Sequence, residues 1–189
     1  MEFLKGNNKS NMKKSILLSI ILAFSVVSFS QSYLGWITSK VNFREEPSTA
    51  ASIIGSLNPG TQIFIISLET DDEFYNIIDI KTNTEGFVSK KFVKIGKLLK
   101  ENEEGIFTPN GQSSSYNPEL EIYNNTQITL TLKLNSQSYS FRPQEKKTLT
   151  VSAGKIIYRA SAPGVIPDFG SENIESNQSY TWQFYIVSR

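Results

Sequence analysis

Cysteine and histidine are both missing from this chain of 189 residues. Without cysteine no disulfide can brace a small domain, so any module must stand on its apolar core alone. Neither a Cys-His nor a Ser-His-Asp nucleophile system can be assembled. A zinc site built from thiolates and imidazoles is excluded for the same reason. Carboxylate, lysine and tyrosine chemistry remain, a narrow range that weighs against catalysis. An excess of one charge sign is missing too. There are 19 Lys+Arg against 18 Asp+Glu, and beyond residue 31 no basic run exceeds two residues. That excludes a nucleic-acid binder working through a basic face. Helical periodicity is also lacking: from Gln31 onward no segment sustains it for three turns. There is no internal repeat.

Apolar residues make up 39% of the chain and charged residues 20%. This is enough for a packed core and excludes wholesale disorder. The length suits one large or two small domains.

Residues Met12 to Gln31 read MKKSILLSIILAFSVVSFSQ. Lys13 and Lys14 form a basic start, Ile16 to Phe29 an apolar stretch, and Ser28-Phe29-Ser30 supplies small residues for cleavage before Gln31. This is the pattern of an export signal over residues 1–30, with Met12 the better start. The apolar run is short of the roughly 20 residues that span a bilayer, and no cysteine follows it for lipid attachment. The expectation is an exported protein, periplasmic or extracellular, with no membrane span after cleavage.

The remainder reads as all-β. Thr61 to Leu68 (TQIFIISL) is rich in β-formers. Ile128 to Leu134 places Ile128, Leu130, Leu132 and Leu134 on one face, and Tyr180 to Val187 does the same with Tyr180, Trp182, Phe184 and Ile186. Between Lys97 and Asn117 the character shifts to charges, then Gly, Pro, Asn and a serine run, which reads as a linker. The expected organisation is a module over 31–96, a linker over 97–117 and a second module over 118–189.

In the first module, Val41-Asn42-Phe43-Arg44 with Pro47-Ser48, then Ile53-Ile54-Gly55, Leu57 and Pro59-Gly60, then Phe74-Tyr75-Asn76-Ile77 and Gly86-Phe87-Val88 together resemble the bacterial SH3 family over residues 34–95. Phe74 and Phe87 stand where that family usually has tryptophan. The residues also make sense unaided. Pro59-Gly60 and Asn83-Thr84 punctuate strands. Gly55 and Gly86 lie inside strand patterns, where glycine marks a bulge or a close backbone approach. The resemblance implies a small SH3-like barrel that binds cell-wall peptide or another extended ligand, between the loops Arg44–Ala51 and Glu69–Glu73. It points to Arg44, Glu45, Phe74 and Tyr75 as ligand-binding residues. Arg44 could fork onto a carboxylate, and Tyr75 could offer a flat face and a hydroxyl. The competing reading has Arg44 bracing its own loop and Phe74 in the core. Glu69, Asp71, Asp72 and Glu73 lack the spacing of a calcium loop and read as a solvated turn.

The second module shows strand patterns at Gln137–Phe141, Lys147–Val151 and Lys155–Ser161. Turn signals stand at Asn124-Asn125, Asn135-Ser136, Pro143-Gln144, Ala153-Gly154, Pro163-Gly164 and Asn177. A small β-sandwich is expected. The stretch from Phe141 to Ala160 (FRPQEKKTLTVSAGKIIYRA) is similar to transthyretin-like and other carbohydrate-associated sandwiches; no functional residue is carried over from it. Ala162 to Gly170 reads as a loop. Trp182, Phe184, Tyr123 and Tyr158 are candidates for an aromatic platform, with Trp182 and Phe184 better placed in a core and Tyr185 the more exposed ring.

The sequence thus points to an exported, non-catalytic binding protein. Its partner would be cell-wall peptide or an envelope protein, with no cofactor, metal or nucleic acid. The alternative is a subunit, adaptor or inhibitor of an exported assembly with no cell-wall ligand.

Overall fold

The computed structural model describes residues 31–70 and 72–186. The segment expected to be an export signal, Asp71 and residues 187–189 lie outside them. The described chain is all-β apart from one 3-10 turn at Lys90–Phe92.

The first unit is one antiparallel sheet of seven strands: β1 (Tyr33–Ile37), β2 (Val41–Arg44), β3 (Ile53–Leu57), β4 (Gln62–Ile65), β5 (Phe74–Asp79), β6 (Thr84–Ser89) and β7 (Val93–Leu98). Their order is β3-β2-β6-β5-β4-β1-β7. Leu57 of β3, at one end of that order, and Val93 of β7, at the other, pack against the same buried cluster of Ile37, Phe43, Ile63, Ile77 and Val88. The sheet therefore curls around its core, as a small barrel must.

The glycines expected to mark irregularities play two distinct parts. A Cβ on Gly86 would come within 2.6 Å of the Phe43 ring and 2.7 Å of the Arg44 carbonyl oxygen, so the position admits no side chain. Gly55 has open space around it but sits beside a bulge, where Phe43 pairs with Gly55 and Arg44 with Ile53. The β5–β6 turn is braced by Asp79. Its carboxylate accepts from the Thr82 hydroxyl at 2.7 Å and the Lys81 N–H at 3.2 Å, while Asn83 takes φ 57°.

The second unit packs two four-stranded sheets face to face. One orders β11 (Gln137–Phe141), β10 (Leu130–Leu134), β13 (Gly154–Ser161) and β14 (Asp168–Ile174). The other orders β12 (Lys146–Thr150), β9 (Glu119–Asn124), β15 (Gln178–Phe184) and β8 (Thr108–Gln112). Alternation fills the space between them. Leu120 and Ile122 from β9 meet Leu130, Leu132, Phe141, Ile156 and Tyr158 from the facing sheet. Asn135, Gln144 and Asn177 turn the chain with positive φ, at turns the sequence had marked.

Three expectations need correcting. The stretch 97–117 is not a free linker. It completes β7, forms the edge strand β8 and buries Phe107 at 5% exposure in the sandwich core. The loop starting at Ala162 gives way to β14 at Asp168, because seven consecutive pairings with β13 satisfy its polar backbone. Tyr158 is 1% exposed and belongs to the core.

The two units touch through a third apolar cluster. Phe64, Ile78 and Ile80 of the first unit meet Phe169 of the second, with Phe64 and Phe169 edge to face at 5.5 Å. The Gly164 N–H donates to the Ile80 carbonyl at 2.7 Å. Glu85 receives Arg159 and Lys133. Exposed ion pairs contribute about 0–1 kcal/mol, whereas burying a large apolar side chain contributes about 1.5–3 kcal/mol. The apolar cluster therefore contributes more to holding the units together than the exposed Lys133–Glu85 pair does.

Candidate functional site: a basic groove on the first unit

Side chains alternate along β2 and β5. Val41, Phe43, Tyr75 and Ile77 point into or pack against the barrel core, so Asn42, Arg44 and Phe74 are left for the outer surface. There they line a concavity of about 290 Å³, joined by Lys40, Lys91 and Phe92. Its flanks are the loop after Arg44, represented by Thr49, and the turn Ser89–Phe92.

The four residues expected to bind ligand are therefore divided. Arg44 and Phe74 share the groove. Phe74 is 8% exposed and lines the groove, and it does not join the cluster at the centre of the barrel. Tyr75 does not share that face. It packs against the core, with the Lys90 ammonium 5.3 Å from its ring centroid. Glu45 is exposed on the loop, outside the lining given by these residues. The expected flank at Glu69–Glu73 is replaced by the 3-10 turn, and Lys90 ties back to that loop through the Thr70 carbonyl at 2.9 Å. Among the described residues, no group of three or more acidic side chains is placed to hold a metal ion.

Arg44 does brace its loop. Its Nη1 donates to the Ala51 carbonyl at 2.7 Å, while the Ser48 hydroxyl accepts the Ala50 N–H within the same loop. One of five guanidinium donors is used in this way, and the loop is fixed relative to β2. Three cations, Lys40, Arg44 and Lys91, thus surround Phe74 and Phe92, and none of the described lining residues is acidic. Lys91 lies 5.1 Å from the Phe92 ring centroid, which holds its ammonium at the rim.

This barrel, with its β2–β3 bulge and its groove between a loop and a 3-10 turn, is the structural counterpart of the motif that opens at Val41. Residues 39–94 match the family model of the bacterial SH3 domain. The match runs from just before β2 into β7, so it covers the whole groove and leaves β1 and the sandwich outside. No curated protein and no solved structure matches the chain. The match over these residues suggests a binding module within the chain. Lys40, Lys91 and Phe92 of the SH3 groove were missed from sequence. Lys40 could have been found, because it lies two residues before Asn42 and four before Arg44 in the β2 alternation. Lys91 and Phe92 depend on the turn geometry and left no periodic trace.

Proposed function

We propose that the SH3 groove binds an extended, carboxylate-bearing peptide of the cell wall, and that the protein is exported and acts without catalysis. The observation that carries this reading is the set of three cations around two aromatic rings, in a groove whose described lining has no acidic residue. Such a surface favours an anionic, partly apolar ligand. The basic and apolar run before Gln31 supports export. Among the described residues, no helix is long and apolar enough to cross a membrane.

The test is co-sedimentation of the protein with purified peptidoglycan over a range of salt. Binding should weaken as salt rises, because the groove charges are accessible to screening. Arg44→Ala should weaken it about ten- to hundredfold, the loss of a charge-assisted hydrogen bond, and Lys91→Ala should add to that loss. Soluble wall fragments should not accumulate. Unchanged binding by the double variant would remove the groove as the site. Capture of one envelope protein in place of wall material would favour the adaptor or inhibitor reading.

A further inference from the structure

A second cavity lies in the second unit, away from the SH3 groove. It is a cleft of about 980 Å³ at one end of the sandwich, between the end of β15, the chain from Asn102 to Ile106 and the connection before β14. That size is at the upper end for small-molecule clefts, roughly 300–1,000 Å³.

Its walls are held in place. The connection is clamped to the SH3 unit through Gly164 and Phe169. The segment from Asn102 is held by Glu172, whose carboxylate accepts the Ile106 and Phe107 N–H groups at 2.9 and 3.1 Å. Trp182 is fixed edge-on to Phe107 at 6.2 Å and against Phe184 at 5.8 Å. Tyr123 is oriented by its hydroxyl, which donates to Gln144. Tyr185 is 64% exposed beside them.

The polar lining includes three planar groups, Asn102, Gln183 and the Asp168 carboxylate, beside the hydroxyls of Thr108, Thr181 and Tyr123. The charges nearly cancel. Lys146 and Glu121 pair at 2.7 Å, which leaves Asp168 as the remaining charged group of the described lining. Asn102 Nδ2 approaches Asp168 at 3.4 Å. A phosphate-bearing ligand would meet a carboxylate without a free cation, and a lipid tail would strand the amides. Flat aromatic faces beside acceptors and amides fit a ring that is apolar on one face and carries hydroxyls at its edge.

We propose that this cleft is a second binding site that takes a neutral oligosaccharide, with sugar faces against Tyr185 and Trp182 and hydroxyls on Asp168, Asn102 and Gln183. The site is independent of the SH3 groove.

The chain contains two tryptophans, Trp36 in β1 and Trp182 in the cleft. A Trp36→Phe variant therefore makes Trp182 the sole indole reporter. The experiment titrates this full-length variant with an N-acetylglucosamine tetramer and, separately, with cellotetraose, and reads tryptophan emission. Emission should shift saturably with at least one of the two. In that background Tyr185→Ala and Asp168→Asn should each raise the Kd about tenfold while the circular dichroism spectrum stays unchanged. Arg44→Ala should leave the Kd as it was, which separates this site from the groove. Absence of any shift at millimolar sugar overturns the proposal. So does binding that survives both cleft substitutions, or binding lost with Arg44→Ala alone.

Discussion

Asn124 is fully buried at the end of β9 and serves as a polar hub. Its Nδ2 reaches the carbonyls of Ile128, Phe141 and Arg142 at 2.8, 3.1 and 2.9 Å, and its Oδ1 accepts the Thr126 hydroxyl at 2.7 Å. Asn124→Ala strands these groups, so it should cost about 3 kcal/mol; a urea melt showing under about 1 kcal/mol would refute the hub. Two carboxyls should shape the acid limb of stability in opposite directions. The backbone N–H of Arg142, which Glu145 accepts at 2.6 Å, holds the Glu145 carboxyl below its ordinary 4.5. Its contribution is present above 4.5 and is lost as pH falls through the lowered value. Burial raises the Asp168 carboxyl above 3.8, against hydrogen bonds from Asn102 and the Phe169 backbone. Folded protein then holds that proton more tightly than the unfolded chain, so this contribution is present at low pH and declines as pH rises beyond 3.8. Urea midpoints measured from acid to neutral pH should show the decline in the parent and a flatter profile in Asp168→Asn. An identical profile in both would show that the carboxyl is not perturbed. At this scale the sequence was half legible. Arg44 and Phe74, which the family motif grouped, do line one groove, but Tyr75 was grouped with them against the alternation that sends neighbours on a strand to opposite faces.

Strands with an apolar rhythm were readable, and strands held only by their neighbours were not. Ile128 to Leu134 was readable because buried residues alternate along β10, and Gln137 to Phe141 because Asn135-Ser136 closes the hairpin that pairs it with β10. By contrast β8 (TPNGQ) is exposed along its whole length and exists because β15 offers it a ladder. In β14 (DFGSENI) only Gly170 and Ile174 are buried. The segment leading into β8 carries more of the fold than its composition suggests. Phe107→Ala should cost about 3–5 kcal/mol, as for a core aromatic, where a true linker position would change stability by about 0.5 kcal/mol or less; chemical denaturation distinguishes the two. Gly105 has φ +76°, and a Cβ there would stand 2.6 Å from the Glu172 carboxylate. Gly105→Ala should therefore release the segment, and limited proteolysis should then cut between residues 100 and 107 faster than in the parent. Equal cutting rates would show that Glu172 does not hold it.

For the molecule as a whole, the run QIFI in β4 is informative because it does not alternate. Ile63, Phe64 and Ile65 are all buried, which requires cover on both sides of the sheet. Ile63 and Ile65 face the barrel core, and Phe64 faces the sandwich through Phe169. The sequence showed an unbroken apolar run but gave no partner for its outer face, since the partner lies about a hundred residues away, the kind of long-range pairing that local pattern leaves unmarked. Phe169→Ala should loosen the docking. Calorimetry on the parent should give one transition, and on the variant a broadened or split one. Two well-separated transitions in the parent would show that the units melt independently. The strand order of the second unit has a further consequence, in time rather than in space. β15 lies between β9 and β8 and runs parallel to β9, with Ser179 beside Glu119. A ribosome makes β15 after every other described strand. Until it arrives, β9 has only β12 for company and β8 has no neighbour in its sheet. The sandwich therefore stays open through nearly all of its own synthesis, and a chain in that condition can still be threaded.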